Sequence, residues 1–363
     1  MAVSPEDSED LGAEVARHYV EAETSLLGRI ASFVGLNLDS DSWTSQRRNG
    51  AGAVRRAIGS LIGGLFNKGR KAAANAAKEA AKRGVAAADD ELGKAAENLG
   101  PADGTAAKAG TKAMVDDLKV VEKTMAKQAL TSYQRIVTEV TQAVVNGTGT
   151  RKTAASRALA RFANAGITGF VDKAGRNWEI ATYVEMAIRT HAANTMVEAH
   201  LGRLESAGVK LVIVSDAPYE CELCKPWEGK ILEVGGPKGK HSVKVKQGNK
   251  EITVKVDGSL EEARSKGLFH PNCRHNITGY LPGVSRAAEK PDTKGVTYKD
   301  TQEQRSLERA ARKWDRRRAV ALDDEERKAA EAKFNEYRAR IRAHTKRTGL
   351  PRKSNRERHD ATR

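Results

Sequence analysis

The chain has 363 residues, of which 39% are hydrophobic, 5% aromatic and 30% charged, with a formal charge of +16. Two or three domains fit that length at roughly 100–200 residues each, but so lean an apolar fraction excludes one large globule and points to extended helices around smaller cores. The most apolar stretch, Ile58 to Phe66, is interrupted by Gly59, Gly63 and Gly64 and falls far short of the ~18 residues a membrane span requires; the positive surplus favours an anionic partner, nucleic acid, an acidic protein surface or both.

The opening MAVSPEDSEDLG is acidic and lacks an apolar core, so no secretory signal is expected. Residues 8–36 carry Leu11, Val15, Tyr19, Leu26, Ile30 and Phe33 at helical spacing and predict a helix. Asn37 to Gly52 is polar and turn-rich and reads as a linker. A second helical zone runs from about Ala53 to Leu99, with Ile58, Leu61, Ile62 and Leu65 on one face and an Ala-rich continuation of high helix propensity. Residues 106–146 form a third zone, with Met114, Leu118, Val121 and Met125 on one stripe. Short helices are expected over 151–169, then a turn from Gly166 to Asp172. Trp178 to Ala207 is the best-defined helix, ending at Gly208. His191 and His200 lie nine apart on it and read as surface or packed residues.

The period then changes from helical to alternating. Val209 to Val214 is a β-branched run of buried-strand type, and Lys230 to Val234 is a second candidate. Ser242 to Val256 alternates through Val243 and Val245, a Gly248-Asn249 turn, then Ile252, Val254 and Val256, the pattern of a hairpin. Beyond Val284 the chain is helical and basic, with 24 Lys and Arg against 14 Asp and Glu. Leu307 and Trp314 mark one helix. Asp323 and Glu326 form a capping box opening a second, with Phe334, Tyr337 and Ile341 as its apolar stripe. Gly349-Leu350-Pro351 stops it, and the last dozen residues read as disordered. The expected class is therefore α+β: long helices with a small zinc-stapled β module near residues 208–283. The expected divisions are a helical N-terminal region (1–150), a helical connector (151–207), the metal-binding module (208–283, with the 242–256 hairpin) and a basic helical hairpin with its tail (284–363).

All three cysteines fall in one pattern. Cys221-x2-Cys224 is followed by His270-x2-Cys273-x-His275. An odd count inside a metal-type pattern argues against a disulfide framework and for a reducing cytoplasm. Two cysteines in a tight turn, a third thiolate and one imidazole satisfy a tetrahedral zinc ion. Four of the five residues Cys221, Cys224, Cys273, His270 and His275 are the expected ligands, with one histidine completing the set. The spacing leans to His270, through a short helical turn carrying Pro271. A closed Cys3His site is structural rather than catalytic, and no phosphate loop or nucleophile elbow occurs elsewhere. No enzymatic activity is expected.

The run from Val212 to Lys230, through Asp216, Cys221, Cys224, Trp227, Glu228 and Gly229, and the run Gly267-Leu-Phe-His270-Pro-Asn-Cys273-Arg-His275 to Gly283 resemble tailed-bacteriophage minor capsid proteins. These sit within the wider group of phage Mu-type head-morphogenesis proteins. The likeness is specific over about 180–350 and weaker before it. It implies a structural virion protein in several copies, at the portal vertex or in the capsid interior, made in the bacterial cytoplasm. It implies the portal protein and secondarily the major capsid protein as partners. It also implies non-specific contact with packaged double-stranded DNA, for which the basic C-terminal region is the expected surface, and no membrane. The family accepts His or Cys at the last metal position, which favours His275 and offsets the lean to His270. The 242–256 hairpin departs from the family core. The competing readings are a zinc-dependent nuclease or toxin module delivered with the DNA, and a zinc-ribbon nucleic-acid binder.

Overall fold

Helices dominate, as the Ala, Lys and Glu content dictates. The computed structural model describes residues 5–35, 38, 43–166, 168–171, 175, 177–218, 222–247, 250–271, 273–285 and 292–358. The helices are α1 (Pro5–Gly35), α2 (Trp43–Leu92), α3 (Thr105–Val145), α4 (Arg151–Ala165), α5 (Ile180–Ser206), α6 (Leu260–Ser265), α7 (Tyr298–Ala319) and α8 (Asp324–Thr348). The strands are short: β1 (Thr168–Val171), β2 (Asn177–Glu179), β3 (Leu211–Val214), β4 (Ile231–Glu233), β5 (His241–Gln247), β6 (Lys250–Val256), β7 (Gly258–Ser259) and β8 (Ile277–Gly279). The class is α+β and mostly helical.

The chain divides into two compact units, one made of Met1–Glu14, Ala72–Asp116 and Met186–Tyr298, the other of Val15–Lys71, Asp117–Glu185 and Lys299–Arg363. The first holds a four-stranded sheet in the order β7-β4-β3-β8. β3 is its centre, antiparallel to both β4 and β8, while β7 runs parallel to β4. All four β3 residues are buried, as a β-branched run flanked on both edges requires. Val212, Val214, Leu232 and Ile277 pack with Val197, Leu201 and Leu204 of α5 and with Leu260 and Ala263 of α6. α5 ends where Gly208 takes φ +77° and the Val209 N–H returns to the Leu204 carbonyl, a glycine-terminated cap. Backbones approach closely here. A Cβ on Gly84 of α2 would lie 2.2 Å from the Met196 carbonyl oxygen of α5, and one on Gly110 of α3 would lie 2.2 Å from Thr195 Oγ1. Glu91 of α2 ties the layers together, accepting from the Gly279 N–H of β8 at 2.7 Å and meeting His200 Nε2 of α5 at 3.1 Å. His200 is thus a packed residue, in keeping with its place on α5.

The β5–β6 hairpin forms with the register expected from its alternation, Val243 facing Val254 and Val245 facing Ile252. Its Gly248-Asn249 turn lies outside the described residues. Val254 and Val256 are buried with Leu211, and Val243, Val245, Ile252 and Tyr280 pack against them.

In the second unit Tyr19 stacks on Phe66 with ring centroids 5.6 Å apart, and its hydroxyl donates to Glu122 at 2.9 Å. Leu307, Ala311, Phe334 and Ile341 form the α7–α8 core with Trp314 and Tyr337 against it. Asp323 caps α8 by accepting from the Glu326 N–H at 2.9 Å, and Gly349 closes it in the left-handed conformation. Arg316 of α7, only 3% exposed, pairs with Glu179 of β2 and donates to the Ala163 carbonyl oxygen.

Several boundaries differ from expectation. The 37–52 linker is helical from Trp43, because Trp43 to Gly52 contains no proline and runs straight into a strong helix former. The 166–172 turn contains β1, which pairs with β2; Trp178 is therefore a strand residue, and α5 starts at Ile180. The segment after Pro351 is held as far as Arg358. Glu357 is buried and accepts from Arg352 and Arg338 at 2.5 and 3.0 Å, and Arg356 pairs with Glu185 at 2.6 Å.

Candidate metal centre

Cys224, Cys273 and His275 converge so that one donor atom from each lies within 4.8 Å of the others. Three local devices bring them together. β3 leads out at Val214, whose N–H and carbonyl bond to Lys230 and Gly229, so the chain carrying Cys224 leaves and returns at the same strand end. Cys224 opens a 3-10 turn (Lys225–Trp227) closed by Trp227 N–H to the Cys224 carbonyl at 2.9 Å. On the other side Phe269 adopts φ +63°, a left-handed conformation that a bulky residue holds only at a cost of about 1–3 kcal/mol. The chain then turns once, from His270 to Cys273 (N–H to carbonyl 2.8 Å), and runs to β8 through Asn276, whose carbonyl accepts from Ser215. Around Pro271 the chain makes a turn instead of the short helix expected there.

The Cys224 and Cys273 sulfurs are 3.4 Å apart, and Cys273 Sγ is 3.4 Å from His275 Nδ1. A tetrahedral zinc with bonds of ~2.3 Å to sulfur and ~2.0 Å to nitrogen spaces its ligands by about 3.5–3.8 Å. Both of these spacings are close to those of zinc ligands, and with the third pair within 4.8 Å the set fits the ion. Cys224 is fully buried and the His275 side chain 2% exposed. Beside Cys273 and His275 lies a small pocket of about 10 Å³, bordered also by His270 and α5 residues, about one water molecule in size.

The other face of His275 is also fixed. Its Nε2 lies 2.8 Å from Glu228 Oε1, and the Glu228 side chain is 8% exposed. A carboxylate on the far nitrogen fixes the ring's tautomer and aim, leaving Nδ1 for the metal. The electrostatics agree. The hydrogen bond from Cys224, helped by His275 and opposed by burial, holds the Cys273 thiol down to about 4. Burial alone would depress His275, but Cys273 and Glu228 overcome it and raise the imidazole above its ordinary value. Burial, together with the neighbouring Asp216, holds the Glu228 carboxyl above the usual range, while His275 pulls it down.

Of the five expected ligands, Cys224, Cys273 and His275 are brought together. His270 is not in the cluster: its Nδ1 lies 2.7 Å from the Pro271 carbonyl oxygen, at the edge of the same cavity. Cys221 lies outside the described residues. Glu228 was not foreseen as part of the site. Its signal was an acidic residue four after Cys224 in a Trp-Glu-Gly turn.

These features define a helical protein with a small sheet and a largely buried Cys/His cluster that could hold a metal ion. The chain belongs to the family described as phage minor capsid protein 2, whose model matches residues 3–346. It is thus a bacteriophage minor capsid protein, a structural component of the virion. No curated protein and no solved structure matches the chain.

Proposed function

We propose that this minor capsid protein works at the portal vertex as a non-enzymatic connector whose first unit is locked by one structural zinc. Cys224, Cys273 and His275 supply three ligands, and Cys221, three residues before Cys224 in sequence, supplies the fourth. The observation that carries the structural role is the seclusion of two of the three donors, Cys224 being fully buried and the His275 side chain 2% exposed. Zinc at such a site contributes folding free energy directly, because the small sheet buries little core of its own.

The portal protein is the principal partner and the major capsid protein the second. Packaged DNA meets exposed basic residues, among them Arg340, Arg342 and Lys346 on α8. Fewer C-terminal arginines serve that contact than the charge count implies, since Arg316, Arg338, Arg352 and Arg356 are committed to Glu179, Glu357 and Glu185. Heads purified from infected cells and dissociated stepwise should release this chain together with portal subunits. Heads lacking it, or its release with an unrelated fraction, would refute the assignment.

A further inference from the structure

The β5–β6 hairpin has two unlike faces. Val254 and Val256 anchor it beside Leu211, while Lys244 and Lys246 of β5 and Lys255 of β6 point the other way and are exposed. The register sets Lys255 opposite Ser242, and Lys246 opposite Glu251. Lys238 and Lys240 extend the exposed positive charge into the preceding loop. Glu251 is the acidic residue of this ribbon, and it is already engaged by Lys244 at 3.0 Å. The Lys244 side chain nevertheless remains 69% exposed. The nearby Glu262 is spent on the loop itself, accepting from the Gly239 N–H at 2.7 Å and from Lys266 at 2.7 Å.

We propose that the outer face of the β5–β6 hairpin is a binding surface for double-stranded DNA that grips phosphates and reads no sequence. The proposal rests on the reading that this protein meets packaged DNA, and it adds the ribbon to the α8 residues as a second element of that contact. Lysines two apart on a strand are spaced by about 6.8 Å, a length of helix axis over which each strand of a duplex places two phosphates at ~3.4 Å of rise apiece. A two-stranded ribbon also has the width to enter a major groove. Residues 241–256 contain no arginine, and their one aromatic ring, the His241 imidazole, lies on the valine face, held by Glu233 at 2.8 Å and the Gly239 carbonyl at 2.9 Å. The face therefore lacks the fork that reads guanine and the platform on which unpaired bases stack. Duplex without sequence preference is the ligand that this chemistry fits.

The test uses the full chain and a fluorescent 30-base-pair duplex titrated across a salt series. The Lys244→Gln/Lys246→Gln/Lys255→Gln variant should bind at least about tenfold more weakly at low salt. The slope of log K against log salt should shrink by about 2.7, near 0.9 per lost phosphate contact. The matching Lys→Arg variant should bind like the parent, a second duplex of unrelated sequence should bind equally, and thermal melts of all variants should coincide. Unchanged affinity and slope in the Gln variant would overturn the proposal. If an Arg340→Gln/Arg342→Gln/Lys346→Gln variant alone abolishes binding, the ribbon assignment falls while the DNA reading stands. No binding by the parent chain removes both. Intact DNA binding in the Gln variant with lost binding to purified portal would mark the face as a protein contact and overturn the proposal.

Discussion

Glu228 Oε1 sits 2.8 Å from His275 Nε2, with both side chains almost wholly buried and the opposite ring nitrogen facing Cys273. One carboxylate from the β3–β4 connection thus sets the aim of the imidazole that precedes β8. Removing its charge should loosen the metal without removing a ligand. Glu228→Gln is expected to weaken zinc by about 10–100-fold, read by competition with a chromogenic chelator. Glu228→Asp should recover part of the loss. Equal zinc affinity in all three proteins would show that Glu228 does not position His275.

The close approach of α2 and α5 predicts opposite signs for two similar substitutions. Gly84→Ala places a Cβ against the Met196 carbonyl oxygen, a rigid backbone atom, and should cost about 1–3 kcal/mol. Gly63→Ala, in the same helix with nothing within 4 Å of the new atom, should stabilise by about 0.5–1 kcal/mol through helix propensity. Urea unfolding of both variants measures the contrast; a neutral Gly84→Ala would mean that the helices can move apart freely.

The buried pair of Arg316 and Glu179 predicts both a mutational and a pH effect. Burial alone would raise the Glu179 carboxyl, but Arg316 and then Arg312 outweigh it and hold it below the usual carboxylate range. Its folded-state value lies below the unfolded one, near 4.3, so below that pH the unfolded chain binds more protons. The pair's stabilisation is full above about 4.3 and is lost as pH falls through the lowered folded value. Glu179→Gln should flatten the acid limb of the urea midpoint against pH. Arg316→Ala should cost about 3–5 kcal/mol at neutral pH, because it strands a buried carboxylate. An unchanged acid limb in Glu179→Gln would show that the pair does not govern acid stability.

The features legible in the sequence were those with a short-range physical signature. The capping box at Asp323 and Glu326, the alternating 242–256 hairpin and the Leu307, Phe334, Ile341 core are each written in spacing alone, and each appears where the spacing puts it. Strands of two to four residues such as β1, β7 and β8 carry too few residues to show a period, and their pairing is set by distant partners. Trp43 to Gly52 looked like a linker because its polar residues and glycines weigh against a helix locally, although it continues into one. Cys224, Cys273 and His275 could be grouped from their types and spacing. Glu228 could not, because its role depends on a turn that returns to the strand end beside His275. The engagement of Arg316, Arg338, Arg352 and Arg356 was likewise invisible to a charge count, since their partners lie far away in sequence or, for Glu357, in a segment that read as disordered.

The staple itself is tested most directly by the metal content of the full chain, purified without a metal-affinity step. Elemental analysis should find about one zinc per chain in the parent and none in Cys273→Ser, and chelation of the parent should lower its Tm toward that of the variant. Zinc-free parent protein that melts at the same temperature with and without chelator would contradict the account.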